Sequence, residues 1–155
     1  MHEPTHKPSA DFLEALTRLS RKLRTAFNAR LLEHGLTYPR GRALLRLAQR
    51  PGMTQSELAC ELELEKPTLV RMLDRMAEID LIRREPDPND RRANIIVLTD
   101  HGRVQAQLVQ RLGADLRKDF FACTDIESLR AAVELMEAVS ERIDRQSNEG
   151  RDHHA

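Results

Sequence analysis

Apolar positions along this chain recur first at helical spacing, then at strand spacing, then at helical spacing again. Phe12, Leu16, Leu19, Leu23, Phe27 and Leu31 fall three or four residues apart, one stripe of a helix that begins near Asp11. Gly35, just past His34, supplies a stop. A second helix opens at Thr37-Tyr38-Pro39, with proline in the first turn, where its missing N–H is no loss. It carries Ala43, Leu44, Leu47 and Ala48 and ends at Pro51-Gly52. Thr54-Gln55-Ser56-Glu57 then has the spacing of a capping box. The short helix it starts carries Leu58, Ala59 and Leu62. A turn at Leu62-Glu63-Leu64-Glu65 leads to Lys66-Pro67-Thr68, which starts another helix with Leu69, Val70, Leu73, Met76 and Ala77 as its inner face. A short helix, a tight turn and a second helix with polar and basic residues at its start form the helix-turn-helix layout.

The period then changes. Leu81 to Glu85 reads as a short strand, Pro86-Asp87-Pro88-Asn89-Asp90 as a turn, and Ala93 to Leu98 as a second strand. A hairpin directly after a helix-turn-helix is a wing, here with Asp90-Arg91-Arg92 at its tip. Thr99-Asp100 caps a further helix with Val104, Leu108, Leu112, Leu116 and Phe120 every four residues. Thr124-Asp125-Ile126-Glu127 has the spacing of a second capping box and opens a last helix with Leu129, Val133, Met136, Val139 and Ile143. The expected class is mainly α with a small β wing (α+β).

Composition supports this picture. Of 155 residues, 3% are aromatic, none is Trp and 32% are charged, which suits long amphipathic helices and argues against an aromatic-lined catalytic cavity. The net charge is zero, yet it is unevenly placed: +8 over residues 17–50, −4 over 51–65, +1 over 66–98 and negative at both ends. Binding to nucleic acid requires local neutralisation of phosphates rather than a high overall charge. Cys60 and Cys123 sit in helical segments with no His or Cys at ligand spacing, so they are expected to be small buried or half-buried thiols. No nucleophile–base–orienter set is visible, so no enzyme is expected, and neither is a metal or cofactor. The polar N-terminus and the lack of a long apolar run point to a cytoplasmic protein away from membranes.

The segment from Met53 to Gly102 resembles the MarR family of bacterial regulators, in its SlyA-like branch. The runs P-T-L-V-R-M-L-D-R-M, L-I-R-R-E-P, the D-R-R wing tip and L-T-D-H-G carry the likeness, and the flanking helices extend it from about residue 11 to 146. The resemblance implies a homodimer on a pseudo-palindromic double-stranded DNA operator, commonly a repressor released by a small aromatic acid or phenol, or by oxidation; an aromatic or heteroaromatic acid is the effector expected here. Its domain plan is an arm at 1–10, dimerisation helices at 11–36 and 100–146, a winged helix-turn-helix at 37–99 and a flexible tail at 147–155.

On this plan Lys66, Pro67, Thr68 and Arg71, with Arg75 one turn on, face base edges in the major groove. Arg91 and Arg92 reach the minor groove from the wing. Arg40 and Arg42, and the helix start at Thr54, Gln55 and Ser56, suit phosphates. Arg75 has an alternative, pairing with Asp74 or Glu78. For the effector, Arg18 and Arg21 share a helix face and, beside Tyr38, could hold an aromatic carboxylate. The alternative for the two arginines is salt bridging to the acidic C-terminal half. A redox-responsive regulator of the same fold is a second reading, although the first 59 residues contain no Cys. A winged-helix module for protein interaction alone would lack Arg71, Arg91 and Arg92.

Overall fold

A computed structural model describes residues 6–90 and 93–152. The elements are α1 (His6–Leu32), α2 (Tyr38–Gln49), α3 (Gln55–Leu62), α4 (Lys66–Glu78), β1 (Ile82–Pro86), β2 (Asn94–Leu98), α5 (Asp100–Phe120) and α6 (Ile126–Asp152). The chain divides into two compact units, residues 1–116 and 117–155. The fold class expected from the sequence is the one found: mostly helix with a two-stranded antiparallel wing. Among the described residues no helix is long and apolar enough to cross a membrane.

Three helices of the first unit end in the same way. Leu36, Leu64 and Leu81 each donate a backbone N–H to the carbonyl five residues back, at Leu31, Ala59 and Met76 respectively. Gly35, Glu63 and Asp80, one position earlier, donate to the carbonyl three back. All three have positive φ (72°, 55° and 56°). This is the Schellman ending, and it turns an apolar residue back under the last helical turn. Leu36 and Leu81 are buried and Leu64 is half-buried. Two of the three left-handed positions hold a side chain rather than glycine, a local cost of order 1 kcal/mol each, which burial of the following leucine offsets.

The core of this unit joins α2, α3, α4 and the wing. Leu44, Leu58, Leu69, Leu73, Met76, Leu81 and Ile96 are all sealed from solvent. β1 pairs antiparallel with β2, Ile82 opposite Leu98 and Pro86 opposite Asn94. The wing is tied down at its base, where the Ile96 N–H donates to the Met53 carbonyl at 2.8 Å and Ile95 bridges to Thr54. Thr99 caps α5, its hydroxyl accepting from the Gly102 N–H at 2.9 Å.

Several boundaries and faces differ from the sequence reading. α1 begins at His6 rather than near Asp11, with Pro8 in its first turn, a position with no intrahelical N–H partner in any case. α6 continues to Asp152 rather than ending near 146. The second expected capping box does not form: Asp125 caps α6 by accepting from the Ser128 N–H at 2.9 Å, and Glu127 pairs with Arg130 instead. On α5 the buried seam is Gly102, Ala106, Val109 and Leu116. Val104, which leads the expected stripe, is exposed, because the small residues permit the closest approach. Ala48 and Val70 are also exposed. Both cysteines are exposed rather than buried: on α3, Leu58, Ala59 and Leu62 take the inner face and turn Cys60 outward.

Gly102 leaves no room for a side chain. A Cβ there would stand 1.9 Å from the Leu81 carbonyl oxygen, so the backbone would have to move. Gly102→Ala is expected to lower unfolding stability by about 3 kcal/mol or more, measured as a shift in the urea midpoint.

Candidate nucleic-acid interface

Packing decides which side chains α4 turns outward. Leu69, Leu73 and Met76, at spacings of four and three, are buried against the core. That leaves Lys66, Pro67, Thr68, Arg71 and Arg75 exposed. Among the described residues the side chains of Lys66, Arg71 and Arg75 have no ion pair or hydrogen bond, so the alternative pairing of Arg75 with Asp74 or Glu78 does not occur. Val70, at 37% exposure, joins this face as an apolar contact. Its position one residue beyond Leu69 on the helical wheel was the signal for this.

The N-terminus of α3 lies beside α4. Ser56, Cys60, Glu63, Lys66 and Pro67 are among the residues lining an open groove of about 740 Å³ between the two helices. The capping box expected here is complete. Thr54 Oγ1 accepts from the Glu57 N–H at 3.3 Å, and the Glu57 carboxylate accepts from the Thr54 N–H at 2.8 Å. The hydrogen bonds from Thr54, and then the Arg50 guanidinium, hold the Glu57 carboxyl below the usual carboxylate range. Thr54 is therefore occupied with the cap, while Ser56 is exposed at the helix start.

Three of the nine bases in residues 17–50, Arg42, Arg46 and Arg50, are engaged by α3. Arg50 pairs with Glu57 at 2.8 Å and Glu61 at 3.8 Å, and Arg46 pairs with Glu61 at 3.6 Å. Arg42 donates to the last carbonyls of α3, Glu61 at 3.1 Å and Leu62 at 3.4 Å, and lies over the Tyr38 ring at 5.9 Å. Of the two cations expected to meet phosphate from α2, Arg40 is left available and Arg42 holds α3 in place. Arg91 and Arg92 lie outside the described residues.

One participant escaped the sequence reading. Arg84, on β1, donates through Nε to Gln55 Oε1 at 3.0 Å and through Nη2 to Asp74 Oδ1 at 2.7 Å. It joins wing, α3 and α4, partners 29 and 10 residues away in the chain, a separation that no local pattern reveals.

The expected effector residues are not brought together. Arg18 pairs with Glu14 along α1 at 3.8 Å. Arg18 and Arg21 line a shallow depression of about 520 Å³ with Leu13, Glu14 and Thr17. Tyr38 is not part of it. Its ring packs edge-on to Phe27 with centroids 6.1 Å apart, and Phe27 is about 9 Å along the helix from Arg21 at 1.5 Å per residue. A separate cavity of about 630 Å³ lies between α2, β2 and α5, with Leu45, Ala48, Ile95, Val97, Arg103 and Gln107 in its wall. Among the described residues no group of three or more His, Cys, Asp or Glu side chains is placed to hold a metal ion.

Comparison with known proteins gives a consistent set. The model of the MarR family matches residues 36–93. The transcriptional regulator PA3341 is similar at 31% identity over 86% of this chain and 98% of its own, with a TM-score of 0.80. The transcriptional repressor CouR, bound to a 23-mer DNA duplex, is similar at 28% identity over 91% of this chain and 99% of its own, with a TM-score of 0.71. Apo MarR from E. coli shares the fold, with a TM-score of 0.71 and 24% identity over 81% of this chain and 94% of its own.

The capping box carries a pH signature. A carboxyl held below its usual range adds stability above its unfolded value, and that stability disappears as pH falls through the folded one. Glu57→Gln is expected to melt below the wild type at pH 7, with the gap closing as pH falls through the carboxylate range to 3. Thermal unfolding at a series of pH values checks this.

Proposed function

The chain belongs to the MarR family of transcriptional regulators, and from that premise we propose that it is a homodimeric, sequence-specific DNA-binding repressor. The carrying observation is α4: its apolar face is locked in the core, and Lys66, Arg71 and Arg75 stand outward without partners. Thr68 offers a methyl and a hydroxyl, Pro67 and Val70 offer apolar contact, and Arg71 can donate two parallel hydrogen bonds to a guanine edge. Gln55, Ser56 and Arg40 supply phosphate contacts, with Arg91 and Arg92 reaching the minor groove. CouR, a repressor seen on duplex DNA, supports the reading. Proteins of this family are transcription regulators rather than enzymes.

Dimerisation through residues 11–36 and 100–146 is supported by apolar side chains left exposed within each unit. Leu13 and Leu19 on α1 are 55% and 47% exposed, and Ile126, Val133 and Ile143 on α6 exceed half. Exposed apolar side chains on helices of 27 residues favour burial against another chain. Two copies of α4 then read half-sites about 34 Å apart on a pseudo-palindromic operator. The order of motifs from Pro67 to Gly102 supports the SlyA-like branch. A small aromatic acid that weakens DNA binding remains the proposed effector. The cavity between α2, β2 and α5 supports it, with an apolar wall for the ring and Arg103 in the same wall for the carboxylate. The experiment is a titration of operator-scale duplexes from the DNA upstream of the chain's own gene, followed by release with aromatic acids at millimolar concentration.

Arg71→Ala is expected to cost roughly 1–3 kcal/mol of specific binding while the dimer stays folded. Fluorescence anisotropy across a salt series measures it, and unchanged operator affinity would remove Arg71 from the interface.

A further inference from the structure

An acid on the outward side of a DNA-reading helix is electrostatically costly, since it faces a phosphate backbone. Asp74 is such a residue, and its carboxylate is half exposed. Its partner gives it a purpose. Arg84 leaves β1 opposite Ile96, which is fully buried, so its stem departs on the face of the hairpin turned toward the helices. The guanidinium then forks, Nε to Gln55 in the first turn of α3 and Nη2 to Asp74 two turns into α4. At 30% side-chain exposure Arg84 is the more enclosed member of the ion pair. Its planar, fixed donors constrain direction as well as distance. The other ties at the wing base run to Met53 and Thr54, just ahead of α3, and from Thr99 to Asp80 and Leu81, just past the end of α4; Arg84 reaches the middle of α4.

We propose that Arg84 is a positioning residue for DNA reading, with Asp74 as its anchor. The fork holds α4 and the start of α3 at one setting relative to the wing, so that base contacts and wing contacts meet the duplex together. This rests on the DNA-binding reading above. It reverses a simple electrostatic expectation. If Asp74 were only a surface charge, Asp74→Asn would strengthen binding to any DNA. As an anchor, its loss misplaces α4 and weakens binding to the operator alone.

The test uses the full chain, the operator duplex and an unrelated duplex of equal length, with affinities taken by anisotropy over a salt series. Asp74→Asn is expected to bind operator roughly tenfold more weakly and unrelated DNA no more weakly than wild type. Arg84→Lys keeps the charge but cannot make the fork. It is expected to show the same loss of preference with the wild-type salt slope, and the double variant should lose no more than either single one. Unfolding midpoints close to wild type separate positioning from loss of fold. The inference is overturned if Asp74→Asn binds operator as tightly as wild type or more tightly. It is also overturned if Arg84→Ala lowers the salt slope by about one and weakens both duplexes equally, the behaviour of a phosphate contact. A wild-type chain with no preference for the operator overturns the DNA-binding reading and this inference with it.

Discussion

The first turn of α5 lies so close to the Leu81 carbonyl that only glycine fits at position 102. Three parts of the first unit meet at that point. α4 ends in the left-handed residue Asp80. The Thr99 hydroxyl donates to the Asp80 carbonyl, and its N–H donates to the Leu81 carbonyl at 3.2 Å. The same Thr99 hydroxyl accepts from Gly102 and caps α5. The exit of α4, the base of the wing and the start of α5 thus share one hydrogen-bonded junction. Thr99 is the only polar residue among those buried in the described core, and its hydroxyl is fully used. A buried polar group so satisfied defines geometry at little cost in stability.

A second constraint is electrostatic. The chain has as many acids as bases, and the fold sorts them. α2 and α3 use each other's charges: Arg46 and Arg50 face Glu57 and Glu61, and Arg42 closes the end of α3. These pairs are well exposed and each adds little stability. Their main effect is to neutralise the basic run of α2. Among the described residues of these helices, Arg40 on α2 and Lys66, Arg71 and Arg75 on α4 are left unpaired, where the proposed DNA contacts lie. A segmental charge count is therefore a poor map of the surface potential, because charges far apart in sequence cancel when helices pack.

Function and packing divide α4 by face. Leu69, Leu73 and Met76 fix its depth, and the Schellman ending at Asp80 and Leu81 fixes where it stops. Arg84 adds a polar tie from the wing. Together these ties let a short helix present Lys66, Arg71 and Arg75 on a rigid base, as the proposed contacts to base edges require.

Features set by neighbours within about five residues were legible in the sequence. The Thr54–Glu57 box, the proline-led starts of α2 and α4, the Thr99 cap and the change from helical to strand spacing at the wing all follow from local hydrogen bonding and side-chain period. So did the outward set on α4, because burying Leu69, Leu73 and Met76 leaves those residues no other face. The tertiary structure alone decided the rest. It turned Cys60 outward and set the α5 seam on Gly102 and Ala106 instead of Val104. It also consumed Arg42, parted Tyr38 from Arg18 and Arg21, and joined Arg84 to Gln55 and Asp74. These outcomes depend on which surfaces approach most closely and which charges meet, and both are settled by contacts between residues distant along the chain.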